Sequence, residues 1–84
     1  MTGLIKYMGI KILTIKEAEE TKKLCEKYNE CFEMVTGKAK ENYRCDNSNE
    51  VIPQGEICAV VLVLPNKNHP NYEHQKAMLG NYIV

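Results

Sequence analysis

The stretch Ile57-Cys-Ala-Val-Val-Leu-Val-Leu64 is the longest apolar run in the chain, and it decides the fold. Most of its residues are β-branched or leucine and no polar residue alternates with them, which is typical of a strand covered on both faces. Pro65 ends the run, and Pro53 and Gly55 fit the second and fourth positions of a turn that leads into it. The run therefore predicts a central strand.

The residues before this run predict a short strand followed by a long helix. Residues 9–13 include the β-branched Ile10 and Ile12 and alternate apolar with polar around Lys11, which favours a strand. Thr14 and Glu17 have the spacing of a capping box, in which each residue satisfies a free N–H group at the start of a helix. Apolar residues then recur at helical spacing as far as Val35, and Gly37 suits the end of such a helix. A helix of roughly 20 residues is expected.

The remaining segments are shorter. Residues 38–50 are polar and predict a loop, with a helical turn over residues 39–43. Asn71 can cap a short helix over residues 72–79, which Gly80 would close. The apolar tail at residues 82–84 can form a third strand.

Together these elements predict an α/β or α+β fold, a small single domain in the order β, long α, loop, β, short α. A chain of 84 residues suffices for one domain and not for two. The strands at Ile10 and Ile57 can lie parallel, joined by a right-handed crossover through the long helix. We expect the domain to span residues 9–84, with residues 1–8 as a loose N-terminal extension.

Charge and hydropathy exclude two classes of partner. Eleven Lys and Arg residues balance eleven Asp and Glu residues, so the basic surface that nucleic-acid-binding proteins carry is not expected. The eight-residue apolar run is far shorter than the roughly 20 residues that cross a bilayer as a helix. Residues 1–9 hold no apolar stretch typical of a secretory signal. We therefore expect a cytoplasmic protein that binds neither nucleic acid nor membranes.

The cysteines are predicted to be reduced. An even number of four in a short chain favours disulfides, but a cytoplasmic location favours free thiols. Cys25, Cys31 and Cys58 fall at core positions and are predicted to be buried and unreactive. Cys45 lies in a polar stretch beside Arg44, and we predict that it is exposed and reactive.

No catalytic, cofactor-binding or metal site is predicted. The spacing of Cys45, Cys58, His69 and His74 lacks the tight cysteine pair that opens structural zinc sites, so both histidines are predicted to be exposed and neutral. None of the five glycines lies closer than six residues to another, which excludes a Gly-rich phosphate loop. We therefore expect no cofactor.

One pattern resembles a known family. The segment Asn29-Glu-Cys-Phe-Glu-Met-Val-Thr-Gly37, followed by Ile52-Pro-Gln-Gly-Glu56, resembles the N-terminal part of bacterial members of the GNAT superfamily of acyl-CoA-dependent N-acetyltransferases. The resemblance covers roughly residues 9–64. It implies the N-terminal part of a transferase fold, truncated or diverged. The R/Q-x-x-G-x-G/A turn with which such enzymes bind acetyl-CoA is absent from this sequence, so the resemblance implies no cofactor-binding residue here.

The central strand has no obvious cover on one of its faces. The other face can pack against the helical stripe, which includes Leu24, Tyr28, Phe32 and Val35. Large apolar side chains left in water each forfeit roughly 1.5–3 kcal/mol. We therefore predict that Val61, Leu62, Val63 and Leu64 form an interaction surface, used by a second copy of the chain in a homo-oligomer or by another protein.

Two functions from different classes follow from these observations. The first is a small intracellular protein-binding or regulatory module without catalytic activity of its own. The alternative is a truncated or diverged acetyltransferase-like domain that lacks the acetyl-CoA site. An independent enzyme is the least favoured reading. The oligomeric state of the intact chain, and any protein that purifies with it, would distinguish the first two functions.

Overall fold

The structure is a computed structural model that describes residues 9–84. The loose extension predicted over residues 1–8 lies outside the described residues. In chain order the elements are β1 (Gly9–Leu13), α1 (Ile15–Lys27), β2 (Cys31–Lys38), β3 (Tyr43–Arg44), β4 (Val51–Ile52), β5 (Ile57–Leu64), α2 (Tyr72–Met78) and a 3₁₀-helix (Leu79–Tyr82).

The predicted mixture of helix and sheet is confirmed, and it is of the α+β kind. Strands β1, β5 and β2 form a sheet in that order, and β3 pairs with β4 in a small second sheet. Both neighbours of β5 run antiparallel to it, so the parallel pairing we considered for the first and central strands is wrong. The helix that follows β1 leads into β2 and not into β5. Strand β5, which comes later in the chain, lies between β1 and β2 in the sheet.

Helix α1 begins as predicted and ends much earlier. The backbone N–H of Glu17 donates to Thr14 Oγ1 over 3.3 Å, which is half of the predicted capping box. The helix ends at Lys27, and Asn29 adopts a left-handed backbone with φ of 56°, a conformation that asparagine tolerates better than most residues. Residues 31–35, which we predicted as the last part of the helix, instead belong to β2. Their prediction as helix is wrong because pairing along the whole of β5 outweighs local helical spacing.

The central strand is buried on both faces, as its sequence predicted. One face of β5 carries Ala59, Val61 and Val63, which belong to the same buried cluster as Ala18 and Cys25 of α1. The large aliphatic side chains of β5 that alternate with these three residues lie on the opposite face, where they pack against the C-terminal helices. The sheet is therefore the middle layer of three.

The expectation that one face of β5 lacks cover within the chain is wrong. Tyr72 of α2 and Leu79 of the 3₁₀-helix share a buried cluster with Val60, Leu62 and Leu64. Two short helical segments at the C-terminal end of the chain therefore supply the cover that we had assigned to a partner.

The turn before β5 is displaced by one residue from its predicted position. The N–H of Glu56 donates to the carbonyl of Pro53 over 3.1 Å, and Gly55 has a φ of 90°. Gly55 is therefore the third residue of the turn, where a positive φ is needed, and not the fourth.

The loop and the tail differ in detail from their predictions. No helical turn forms over residues 39–43. Ala39 instead makes an isolated bridge with Ile83, and Tyr43 starts β3. The tail forms a strand-like pair only at that bridge. Helix α2 lies where it was predicted, although the Asn71 side chain makes no capping hydrogen bond. None of the helices in residues 9–84 is long and apolar enough to cross a bilayer.

Candidate functional site

Among residues 9–84, the outer edge of β2 is the longest stretch of backbone in the three-stranded sheet that no other strand or loop pairs with. Ala39, just beyond β2, donates its N–H to Glu56 on the β5 side, whereas the carbonyl of Lys38 accepts from Val84 on the outer side. Because backbone groups alternate in direction along an antiparallel strand, the groups of Phe32, Met34 and Thr36 also point outward. Among residues 9–84 no backbone hydrogen bond reaches them. We call these three residues the open edge.

The opposite edge of the sheet is shorter and partly occupied. Strand β1 has five residues. Asp46 accepts from the N–H of Ile12 through Oδ2 over 2.9 Å and donates its own N–H to the carbonyl of Ile12 over 2.9 Å. The loop after β3 therefore covers the outer side of β1 at Ile12.

The C-terminal tail limits the open edge at one end. The N–H of Val84 donates to Lys38 over 2.9 Å, and the N–H of Lys40 donates to the carbonyl of Tyr82 over 3.3 Å. The Tyr43 hydroxyl donates to that same carbonyl over 2.7 Å. The tail thus pairs with the chain beyond Thr36, and the open edge ends where the tail begins.

The side chains of the open edge lie on the α1 face of the sheet. Phe32, Met34 and Thr36 are paired with Val63, Val61 and Ala59 of β5, respectively. Phe32 is half-buried and packs against the core, while Met34 is 40% exposed. A strand added at this edge would therefore find an apolar side chain at its centre.

The charged residue of β2 that lies between the open-edge residues, Glu33, has its side chain on the opposite face of the sheet. The Tyr72 hydroxyl donates to Glu33 Oε2 over 2.6 Å, and this hydrogen bond raises the pKa of Tyr72. Lys76 Nζ lies 5.5 Å from the centre of the Tyr72 ring, and its hydrogen bond with Tyr72 and the charge of Glu33 raise the pKa of Lys76. Glu33 is thus held towards α2 and away from the strand edge.

The predicted interaction surface lies in the core. Val61 and Leu62 are 0% exposed, Val63 is 4% exposed and Leu64 is 3% exposed. These side chains cannot contact a partner in the folded chain. The feature that sequence reasoning missed is the neighbouring edge, because residues 31–35 had been assigned to the helix. Asn29 and the β-branched pair Val35 and Thr36 were the signals that could have shown a strand there.

A cleft of about 360 Å³ lies between α1 and β1. Cys25 and Val63 are among its apolar lining residues, and Glu17 and Glu20 are among its charged ones. Lys11 is 7% exposed, and burial lowers its pKa although the nearby charge of Asp46 opposes the shift. The cleft carries both signs of charge.

Two contacts tie the cleft to the loop after β3. Lys11 Nζ donates to Asn47 Oδ1 over 3.5 Å, and Asn47 Nδ2 donates to Thr21 Oγ1 over 3.1 Å. On the rim, a hydrogen bond with Glu20 raises the pKa of Glu17. These groups hold the loop against α1, and their arrangement provides no nucleophile paired with a base.

The four cysteines are free and buried. Burial of Cys25, Cys31 and Cys58 was predicted, but the prediction that Cys45 is exposed is wrong, since it is 1% exposed. Burial raises the pKa of the Cys45 thiol, but hydrogen bonds from Ser48 and from backbone groups outweigh burial and lower the pKa overall. The Cys45 thiol therefore loses its proton more readily than an ordinary cysteine, but reagents in solvent cannot reach it in the folded chain.

The histidines do not assemble a metal site. In the part of the chain that the structure describes, no three His, Cys, Asp or Glu side chains lie together as metal ligands. His74 is exposed, as predicted, whereas His69 is half-buried and its Nδ1 accepts from the N–H of Asn71 over 3.2 Å. His69 therefore organises the turn before α2.

Comparison of the chain with protein-family models, with curated proteins and with solved structures finds no match. The resemblance of residues 9–64 to the N-terminal part of the acetyltransferase superfamily therefore stays a prediction. The candidate site rests on the geometry of β2 alone.

Proposed function

We propose that this chain is a small protein-binding module that takes up an extended segment of a partner at the open edge of β2. The observation that carries the proposal is the row of outward N–H and C=O groups at Phe32, Met34 and Thr36, which have no hydrogen-bond partner within residues 9–84. Strand addition to an exposed sheet edge is a recurring mode of peptide recognition.

The open edge lacks the devices that keep most edge strands from pairing. Natural edges carry lysines, prolines or bulges that block a further strand. Residues 32–37 contain neither lysine nor proline, and β2 pairs with β5 in a regular register from Cys31 to Lys38. The one charge, on Glu33, is bound by Tyr72. An unguarded edge of this kind is what a binding module requires.

Pairing at this edge supplies both affinity and selectivity. Each backbone hydrogen bond contributes about 0.5–1.5 kcal/mol, and these bonds do not depend on the partner's sequence. The partner's side chains on the α1 face would lie beside Phe32 and Met34, and Met34 still exposes 40% of its surface. We therefore expect the partner segment to be extended and apolar at alternate positions.

Photo-cross-linking in the cells that produce the chain tests this function. A photoreactive phenylalanine analogue at position 34 is compared with the same analogue at Lys23, an exposed position on α1. We expect a discrete protein adduct from position 34 and none from position 23.

A second substitution makes the adduct diagnostic of the edge. Thr36→Pro removes an outward N–H that is not bonded to β5, so the fold tolerates proline there better than at the neighbouring Val35, whose N–H faces β5. With circular dichroism confirming the fold, Thr36→Pro should abolish the adduct from position 34. An adduct that survives Thr36→Pro, or the absence of any adduct, would contradict the proposed function.

A further inference from the structure

We infer that the segment taken up at the open edge is β2 of a second copy of this chain, paired antiparallel about Met34. This inference rests on the proposed function and names its partner. It makes the assembly a symmetric dimer in which two three-stranded sheets join into one continuous sheet. The argument depends on which registers two identical copies of β2 can adopt.

Symmetry leaves few registers. In a continuous antiparallel sheet, opposite residues lie on the same face, and a one-residue slip moves every side chain to the other face. Two identical antiparallel strands can therefore pair only in a register centred on a single residue, which lies opposite itself. The candidates are the residues near the middle of β2.

Two of these registers are unfavourable. A register centred on Glu33 places two carboxylates directly opposite each other, which is destabilising. A register centred on Val35 places Phe32 opposite Lys38 of the other copy. The carbonyl of Lys38 already accepts from Val84 over 2.9 Å, so this register would displace the tail.

The register centred on Met34 avoids both problems. It places Met34 opposite Met34 and Phe32 opposite Thr36 of the second copy. All three outward residues on each strand then find partners, and the tail keeps its bonds. Phe32 and Thr36 form an aromatic and β-branched cross-strand pair, a combination that stabilises sheets. The open edge is thus complementary to itself over its whole length.

Charge also permits self-association. The chain has eleven basic and eleven acidic residues, so two copies carry no net repulsion. The charged residue within the paired residues 32–36 is Glu33. The register centred on Met34 places it opposite Val35 of the other copy, so no like charges meet.

Disulfide trapping of the full chain tests both the partner and the register. In a hydrogen-bonded antiparallel pair, opposite Cα atoms lie about 5.5 Å apart, which is within the range of a disulfide. Met34→Cys should therefore form a cross-linked dimer under mild oxidation. Thr36→Cys is the matched control, because in this register the two Thr36 residues lie about 14 Å apart along the strands. The four native cysteines are buried and contribute little background.

We expect Met34→Cys to cross-link at least about tenfold faster than Thr36→Cys, because only the first pair is held at high effective concentration. Phe32→Cys mixed with Thr36→Cys should give the mixed dimer in preference to either homodimer. Sedimentation of the unmodified chain should show a dimer that Thr36→Pro converts to a folded monomer.

Three outcomes would overturn the inference. Faster cross-linking of Thr36→Cys would place the register elsewhere. Equal rates for both variants would indicate random collision. A monomer at all concentrations in sedimentation would exclude the dimer. If the photo-cross-link from position 34 then joins a different protein and is lost with Thr36→Pro, the self-pairing inference fails while the proposed protein-binding function stands.

Discussion

Ile83 packs against Gly37 so closely that a Cβ atom built on Gly37 would lie 2.7 Å from Ile83 Cδ1. This contact places the C-terminal tail against the face of β2 opposite to α1. It explains why glycine occurs within a strand, where it normally weakens pairing, since only glycine lets another residue approach the backbone this closely. The tail and the sheet are therefore coupled through one position.

Gly37→Ala should lower the free energy of unfolding by about 1–3 kcal/mol, because the added methyl group overpacks the contact with Ile83. Denaturant unfolding measures the change. Gly80→Ala is the matched control, since nothing lies within 4 Å of a Cβ at Gly80 and its φ is not positive. If the two variants are equally stable, Ile83 does not pack closely against Gly37.

Asn29→Ala should destabilise the chain by roughly 1 kcal/mol, because alanine disfavours the left-handed backbone that ends α1. Asn29→Gly should leave the stability unchanged or raise it, since glycine adopts a positive φ without strain. Thermal unfolding of both variants, with the wild type, tests the prediction. The order would be reversed if α1 continued through residue 29 as a regular helix, where glycine is the poorer residue.

The early end of α1, at Lys27, could not be predicted from the local sequence. Thr14 and the apolar run at residues 57–64 are local signals, and they fixed the helix start and the central strand correctly. Residues 31–38 carry apolar side chains at spacings that suit a helix as well as a strand. Pairing with β5 along its whole length decides in favour of the strand. Because β5 is distant in sequence, the local pattern of residues 31–38 does not reveal this partner. The open edge was missed for that reason.

The hydrogen bond between Tyr72 and Glu33 predicts a pH dependence of stability. It raises the pKa of Tyr72 above the unfolded value of about 10, so the stabilisation is fully present below pH 10 and is lost as the pH rises through the folded pKa. Tyr72→Phe should therefore be less stable than the wild type at pH 7, and the difference should shrink above pH 10.

Denaturant unfolding of Tyr72→Phe and the wild type between pH 7 and about pH 11 measures this difference. Tyr28→Phe is the control, since Tyr28 is 47% exposed and makes no hydrogen bond through its hydroxyl among the described residues. A gap between Tyr72→Phe and the wild type that stays constant with pH would contradict the role of the Tyr72 proton.

The native thiols should be almost unreactive in the folded chain. Burial raises the pKa of Cys25 to about 11, and it also raises the pKa of Cys58. Since the thiolate is the reactive form, maleimide at pH 7 should modify these cysteines only after unfolding. Cys45, whose pKa is lowered, should react first when the chain opens partially in mild denaturant. Mass spectrometry after brief labelling identifies the modified residue, and early labelling of Cys25 would contradict this order.

Substitution of the central strand tests whether the chain covers both of its faces. Val61 packs towards α1 and Leu62 packs towards α2, and both are fully buried. Val61→Lys and Leu62→Lys each place a charge in an apolar environment, so each should cost more than about 4 kcal/mol, a large fraction of the stability of a small domain. Both variants should therefore be unfolded by circular dichroism.

The alternative is that one face of β5 is a contact with a partner, as the sequence alone suggested. In that case only one of the two lysine variants would unfold the chain, and the other would remain folded while losing its partner. Ile57→Lys is the matched control, because Ile57 begins the same strand and is 57% exposed. It should remain folded and dimeric, since it lies outside the open edge of β2. A folded Leu62→Lys variant would show that the C-terminal helices do not seal the second face of the sheet.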